Sequence, residues 1–293
     1  MIQNSLGNAA DVEALMNGGI RTTSVFPLIN SEKLFPLTKI NIIFKGIETA
    51  ERKEFLDKRK RIPKWAPWAV IRQVAANLVE NNYEGVHAHI VPDSDKFKEV
   101  EPFSDGGRLS VNLSDPLNPL LYTREFEAFS TLSIVSGKLS GVKRWFSYSA
   151  IESVEPKKLH ASIRLLEDFG LSGRRTTGSG YFKINQMESV EDSSQGFTGE
   201  GLYLLLSKYI PVSSDMDSLV LQRSMYSIST MTLVLQRSTP TKTRDLSYNR
   251  NVGTYRCFCE GSLLYLKGDV VGRSYNTGNE KFLPFFPVMR RVI

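Results

Sequence analysis

The stretch Phe169-Gly170-Leu171-Ser172-Gly173-Arg174-Arg175-Thr176-Thr177-Gly178-Ser179-Gly180-Tyr181-Phe182 sets four glycines around an arginine pair, between a helix-like and a strand-like segment. Glycine takes positive φ and lets backbone approach a ligand closely. Consecutive free N–H groups then form an anion-binding concavity, which two guanidinium forks reinforce. The pattern suits polyanionic phosphate, and a nucleic-acid backbone is the expected ligand. Gly173 to Gly180 lacks the Lys-Ser/Thr pair of a P-loop, and the glycines miss dinucleotide-binding spacing, which disfavours a mononucleotide enzyme. The same spacing also fits a Gly-ended helix followed by a turn with two solvated arginines.

Before this stretch, Pro156-Lys157-Lys158 opens a segment in which Leu159, Ile163 and Leu166 fall at i, i+4 and i+7. This predicts a helix ending at Phe169, with Gly170 as its left-handed cap. After the loop, Phe182 and Ile184 alternate with polar neighbours. Glu188 to Gly201 is acidic and Ser/Gly-rich like a linker, so the boundary is drawn there, giving domains 1–190 and 191–293. Beyond it, Leu202 to Pro211, Met225 to Leu235, Tyr255 to Tyr265 and Val270 to Tyr275 read as strands, with Lys267-Gly268-Asp269 as a hairpin turn. Phe282 to Pro287 is apolar but broken by proline, which predicts burial against a sheet or a partner instead of a regular strand.

Upstream, Leu6 to Met16 predicts an opening helix stopped by Gly18-Gly19. Val25 to Ile29 and Ile40 to Phe44 are short apolar runs that Pro27 and Pro36 restrict to edge or irregular strands. Glu51 to Lys64 carries a local surplus of positive charge and reads as a solvated helical face in preference to a dedicated RNA contact. Trp65-Ala66-Pro67-Trp68 is expected to anchor a loop before a helix over Val70 to Val79. Pro92 to Gly107 suggests a loop or exposed hairpin, and Phe126, Ala128, Leu132 and Ile134 alternate like a half-buried strand.

The chain has 293 residues, 41% of them hydrophobic and 10% aromatic, enough for one large or two ordinary domains. A net charge of +6 permits anionic partners without requiring them. Cys257 and Cys259 form a lone C-x-C that supplies neither a disulfide framework nor zinc spacing, so both read as reduced packing residues. His87 and His89 would share one face of a strand, yet no further ligand accompanies them, and no metal or cofactor is expected. No stretch matches a membrane span or a secretion signal, so a cytoplasmic protein is expected.

Taken in order, these motifs resemble the RAMP superfamily of CRISPR proteins, and within it the subunit of the type III-A Csm effector complex that grips the 5′ handle of the crRNA. The family's loose pattern G-x-[KR]-x-x-x-G-x-G is similar to Gly173-Arg174-Arg175-Thr176-Thr177-Gly178-Ser179-Gly180. Its arginine-led segment ending in Leu-Tyr is similar to Arg108 through Tyr122, with Asn112-Leu113-Ser114 standing where the family carries Asp-Arg. The likeness extends to Arg21-Thr22-Thr23-Ser24-Val25-Phe26-Pro27 with Leu34-Phe35-Pro36, and to Cys259-Glu260-Gly261-Ser262 with Gly268-Asp269. The strand that family members usually place ahead of the segment matching Asn4 to Leu15 is not evident.

The resemblance implies an α+β chain of two ferredoxin-like (RRM-like) domains, with a glycine-rich RNA-binding loop and inserted hairpins. It implies a binding subunit without catalytic residues, which caps the crRNA, contacts the large polymerase-like subunit and starts the filament of backbone RAMP subunits. The RNA contacts it implies are Gly173, Arg174, Arg175, Thr176, Thr177, Gly178, Ser179, Gly180 and Tyr181, together with Arg108, Asn112, Tyr122, Arg21 and Ser24. Tyr181 and Tyr122 are candidates to stack on unpaired bases, although Tyr181 equally suits a strand core and Tyr122 a hairpin surface. One alternative is a metal-independent RAMP endoribonuclease acting on precursor crRNA through His87, His89 or His160, for which spacing reveals no lysine or tyrosine partner. Another is the equivalent subunit of a type III-B Cmr complex.

Overall fold

Ile20 begins the short strand β1 (Ile20–Thr22), which pairs antiparallel with β10 (Tyr148–Ala150) so that Arg21 lies opposite Ser149. The helix α2 (Pro156–Phe169) buries Leu159 and Ile163 against Ile20, as its spacing predicts, with Phe146, Tyr148, Ile184 and Met187 packed around them. The structure is a computed structural model and describes residues 17–29, 32–37, 65–82, 85–86, 102–110, 120–129, 134–135, 138–139, 144–150, 155–169, 182–188, 199–236, 249–276 and 282–293. The readings at Leu6 to Met16, Ile40 to Phe44, Glu51 to Lys64, His87, His89 and the 190/191 boundary lie outside these residues. The described residues fall into two compact units, one within Met1–Ser24 and Phe146–Ile293, the other within Val25–Trp145.

The Val25–Trp145 unit holds a four-stranded antiparallel sheet of β4 (Trp65–Pro67), β3 (Glu32–Pro36), β2 (Phe26–Ile29) and β9 (Arg144–Trp145), in that order. Phe26 and Phe35 are buried at its centre. The Phe26 ring lies 5.8 Å from Trp65 and 5.2 Å from Trp145, and the Phe35 ring 4.9 Å from Trp68 and 5.1 Å from Trp145. The Trp145 indole N–H donates to the Leu34 carbonyl at 3.1 Å, so its one polar atom is satisfied inside this aromatic cluster. The helix α1 (Trp68–Val79) buries Ile71, Val74 and Ala75 at i, i+3 and i+4, and ends at Asn81, whose φ of 56° turns the chain out of the helix. The same unit carries the ladder of β5 (Pro102–Ser110) with β6 (Leu120–Phe129), and the short pair β7 (Ile134–Val135) and β8 (Lys138–Leu139).

Two expectations differ from the structure in this unit. β2 is not an edge strand, since β9 engages Phe26 and Pro27 while β3 engages Leu28 and Ile29, so the two partners take different halves of it. Trp65-Ala66-Pro67 is a strand running directly into α1 instead of a loop, because its proline sits at the strand's end, where a missing N–H costs little.

In the other unit, β11 (Gly201–Leu205) lies between β14 (Leu263–Leu266) and β17 (Met289–Arg291), antiparallel to both. All four residues of β14 and Leu202 to Leu205 are buried, so this sheet is covered on both faces, as its near-continuous apolar runs require. Its main cluster joins Tyr203, Leu205, Leu264 and Leu266 to Tyr209, Leu219, Phe258, Val270 and Met289. A long ladder of β12 (Ile228–Gln236) with β13 (Asn249–Phe258) and a shorter one of β15 (Arg273–Asn276) with β16 (Phe282–Phe285) complete it. The short helix α3 (Asp215–Ser218) and a 3-10 turn at Leu221–Arg223 link β11 to β12.

Further readings change. The run Tyr255 to Tyr265 is two strands, split by a turn in which Gly261 takes φ 88°. Lys267-Gly268-Asp269 is not a hairpin turn, since β14 pairs with β11 while β15 pairs with β16, so the segment passes between two sheets. Phe282 to Phe285 is a regular strand, with Pro284 opposite Ser274 in a two-stranded ladder that leaves an outer edge needing no N–H from proline. Residues 182–188 form no ladder. Among the described residues, no helix is long and apolar enough to cross a membrane.

Candidate nucleic-acid interface

Gly173, Arg174, Arg175, Thr176, Thr177, Gly178, Ser179, Gly180, Tyr181 and Asn112 lie outside the described residues. Both flanks of the Gly/Arg segment are described. On the last turns of α2, Arg164 donates from Nη1 to the Ile184 carbonyl at 3.0 Å, and Glu167 accepts the Ile184 N–H through Oε1. Arg164 and Glu167 are themselves paired at 3.5 Å. One helix face thus holds both backbone groups of a single residue just after the Gly/Arg segment. The spacing of Arg164 and Glu167 is that of an ordinary i,i+3 pair, which gave no sign in the sequence that both would bind returning chain.

Arg108 and Tyr122 are brought directly opposite one another as register partners between β5 and β6. Arg21 and Ser24 lie in the other unit, at β1 and just after it. Arg21 is half-buried and donates from Nε to the Gly18 carbonyl at 3.0 Å and from Nη1 to the Pro287 carbonyl at 3.3 Å. Burial lowers its pKa, and the two carbonyls take up part of the charge's lost hydration. Gly18 permits this arrangement because it adopts φ 77°, and a Cβ there would come within 2.9 Å of the Phe286 ring.

Thr23 and Ser24 continue the same bracing. Thr23 Oγ1 accepts the Ser147 N–H at 2.9 Å and donates to the Ser24 carbonyl at 2.8 Å. The Ser24 N–H donates to the Leu206 carbonyl at 2.9 Å, and its hydroxyl donates to Glu260 Oε1 at 2.6 Å. The other Glu260 oxygen lies 3.8 Å from Lys208 Nζ. Glu260 stands on the tight turn after β13, where Ser262 Oγ donates to the Cys259 carbonyl at 2.7 Å and accepts the Ser227 N–H at 3.3 Å. Two sequence motifs far apart in the chain, Arg21 to Ser24 and Cys259 to Ser262, therefore meet through one carboxylate. Lys208 carried no signal in the sequence, since a single lysine after an apolar strand is ordinary.

The remaining chemistry-bearing residues have structural surroundings. Cys257 is buried and Cys259 half-buried, both as free thiols, and burial pushes the Cys257 thiol upward. His160 is exposed on α2, with its ring 6.0 Å from that of Tyr148. Among the described residues, no group of three or more His, Cys, Asp or Glu is placed to hold a metal ion.

No family model and no curated protein matches the sequence. Solved structures do match. A chain in the crystal structure of a Csm1–Csm4 cassette in complex with cA4 matches at TM-score 0.50 and 15% identity, covering 99% of this chain and 90% of that one. A chain of the cassette in complex with AMPPNP matches at TM-score 0.50 and 16% identity, covering 100% and 88%. A chain of a Csm3–Csm4 subcomplex from a type III-A CRISPR-Cas interference complex matches at TM-score 0.48 and 17% identity, covering 99% and 90%. At the level of fold, and over essentially its whole length, the chain is similar to a subunit of the Csm1–Csm4 cassette, as the resemblance read from its motifs implies.

Proposed function

We propose that this chain is a non-catalytic subunit of a type III CRISPR effector complex of the Csm kind, which holds the 5′ handle of the crRNA and docks a large polymerase-like subunit and backbone RAMP subunits. The observation that carries this reading is the full-length fold likeness to a chain of the Csm1–Csm4 cassette, in a sequence that also contains the Gly/Arg loop motif. The order of β14, β11 and β17, with the first strand central and antiparallel to both neighbours, supports a ferredoxin-like second domain. In this reading the backbone N–H groups of Gly173 to Gly180 and the guanidinium groups of Arg174 and Arg175 grip phosphates. Stacking of unpaired bases on aromatic rings adds ~1–3 kcal/mol per base beyond the charge contribution.

Purification of the tagged chain from native cells tests the reading. The expected result is a guide RNA of uniform 5′ end together with type III subunits, and the identity of those subunits separates Csm from Cmr membership. Recovery of neither RNA nor subunits removes the reading. Replacing Arg174 and Arg175 by alanine is expected to weaken RNA retention and flatten its salt dependence, because released counterions scale with neutralised phosphates. Metal-free cleavage of precursor crRNA by the purified chain would instead favour an endoribonuclease.

A further inference from the structure

Glu260 is a carboxylate beside a segment read as an RNA contact, and a phosphate backbone should be repelled by it. Its two oxygens do different things. Oε1 accepts the Ser24 hydroxyl at 2.6 Å, a short charge-assisted bond that ties the end of the Arg21–Ser24 segment to the turn after β13. Oε2 faces Lys208 Nζ at 3.8 Å, at the outer limit of ionic contact, with the lysine side chain 37% exposed and the glutamate 20%. A long, half-exposed pair of this kind contributes little to stability, so folding energy does not explain it. It does keep one cation engaged beside Ser24, in a form that a phosphate can take over.

Resting on the RNA-binding reading above, we propose that Glu260 is a positioning residue that restrains polyanion binding: it fixes Ser24 through one oxygen and holds Lys208 in reserve through the other, so that a ribose-phosphate displaces the carboxylate as the partner of Lys208. Lys208 is then a phosphate-binding residue. The carboxylate sets how strongly the chain holds RNA that reaches this point.

The two roles separate by substitution. Glu260→Gln keeps an oxygen acceptor for the Ser24 hydroxyl while removing the charge that holds Lys208, whereas Ser24→Ala removes the hydrogen bond and leaves the charge pair. The test is the affinity of the full chain for a fluorescent single-stranded RNA of mixed sequence, measured across a range of salt concentrations, with thermal unfolding as the control for fold. Glu260→Gln is expected to bind roughly three-fold tighter at physiological salt with the slope of log affinity against log salt unchanged, since Lys208 meets phosphate in both proteins, whereas Lys208→Ala should make that slope shallower by about 0.7, the value of one phosphate contact on a single strand. Lys208→Ala in the Glu260→Gln background should cancel the gain in affinity and show the same shallower slope. Ser24→Ala should leave the slope unchanged. Unaltered affinity in Glu260→Gln, or an unaltered slope in Lys208→Ala, with wild-type binding intact, overturns this proposal and leaves the RNA-binding reading standing. A wild-type chain that binds no RNA overturns the reading and the proposal with it.

Discussion

The Asp215 carboxylate is buried and still accepts the Tyr209 hydroxyl at 2.8 Å and the N–H groups of Val212, Val271 and Gly272 at 3.0, 2.9 and 2.9 Å. Burial alone would raise its pKa, but the amides of Val271, Val212 and Gly272 and the Tyr209 hydroxyl favour the charged form and hold it below the usual carboxylate range. Burial, together with the same carboxylate, pushes the Tyr209 hydroxyl upward. Because the folded pKa lies below the unfolded one, Asp215 stabilises the fold in full above the ordinary aspartate range, and this contribution is lost as pH falls through the folded value. Asp215→Asn sets an amide against three N–H donors and should cost about 2–4 kcal/mol at neutral pH. Urea unfolding followed from neutral to acid pH should show the gap between wild type and variant closing as the solution becomes acidic. Parallel curves would mean that the carboxylate's charge plays no part.

Among the elements, α2 and residues 182–188 form one unit, because Arg164 and Glu167 hold the two backbone groups of Ile184 while Ile184 and Met187 pack on the helix's buried face. Removing both side chains, as Arg164→Ala with Glu167→Ala, should raise amide exchange at Ile184 about ten-fold while leaving exchange at Leu159 and Ile163 unchanged. Equal exchange in the two proteins would show that packing alone fixes the return. Much of this element was legible, since Leu159 and Ile163 at i and i+4 declare the helix and its buried stripe. The clamp on Ile184 was not, since nothing local tells a solvated ion pair from one that reaches backbone some twenty residues away. Proline misled in a regular way. Read as a breaker, Pro27 restricts its strand to an edge or an irregular one and Pro284 removes a regular strand altogether, but the ladder needs an N–H only at alternate positions and only on a side that has a neighbour. The bend at Lys267 to Asp269 was read as a hairpin because local turn chemistry does not say which sheet the next strand will join.

For the whole molecule, a net charge of +6 is too modest to produce the selective RNA binding proposed above by electrostatic attraction alone, and a general phosphate sponge would prefer the ligand of higher charge density. The motifs that carried the family resemblance are spread through the chain. Two of the described ones are engaged within the fold: Arg21 spends its guanidinium on the Gly18 and Pro287 carbonyls, and Ser24 its hydroxyl on the Glu260 carboxylate. A chain built this way should read RNA by the path of a flexible strand and by its exposed bases, since an A-form duplex buries the base faces and holds its phosphates on a fixed helical path. Single-stranded and fully paired RNA with the same number of phosphates, competing for the full chain at physiological salt, distinguish the two cases. The single strand is expected to win by about ten-fold, close to the stacking of one base. Equal competition, or preference for the duplex, would leave counterion release as the whole of the binding and would remove the grip on an unpaired guide end from the account of this protein.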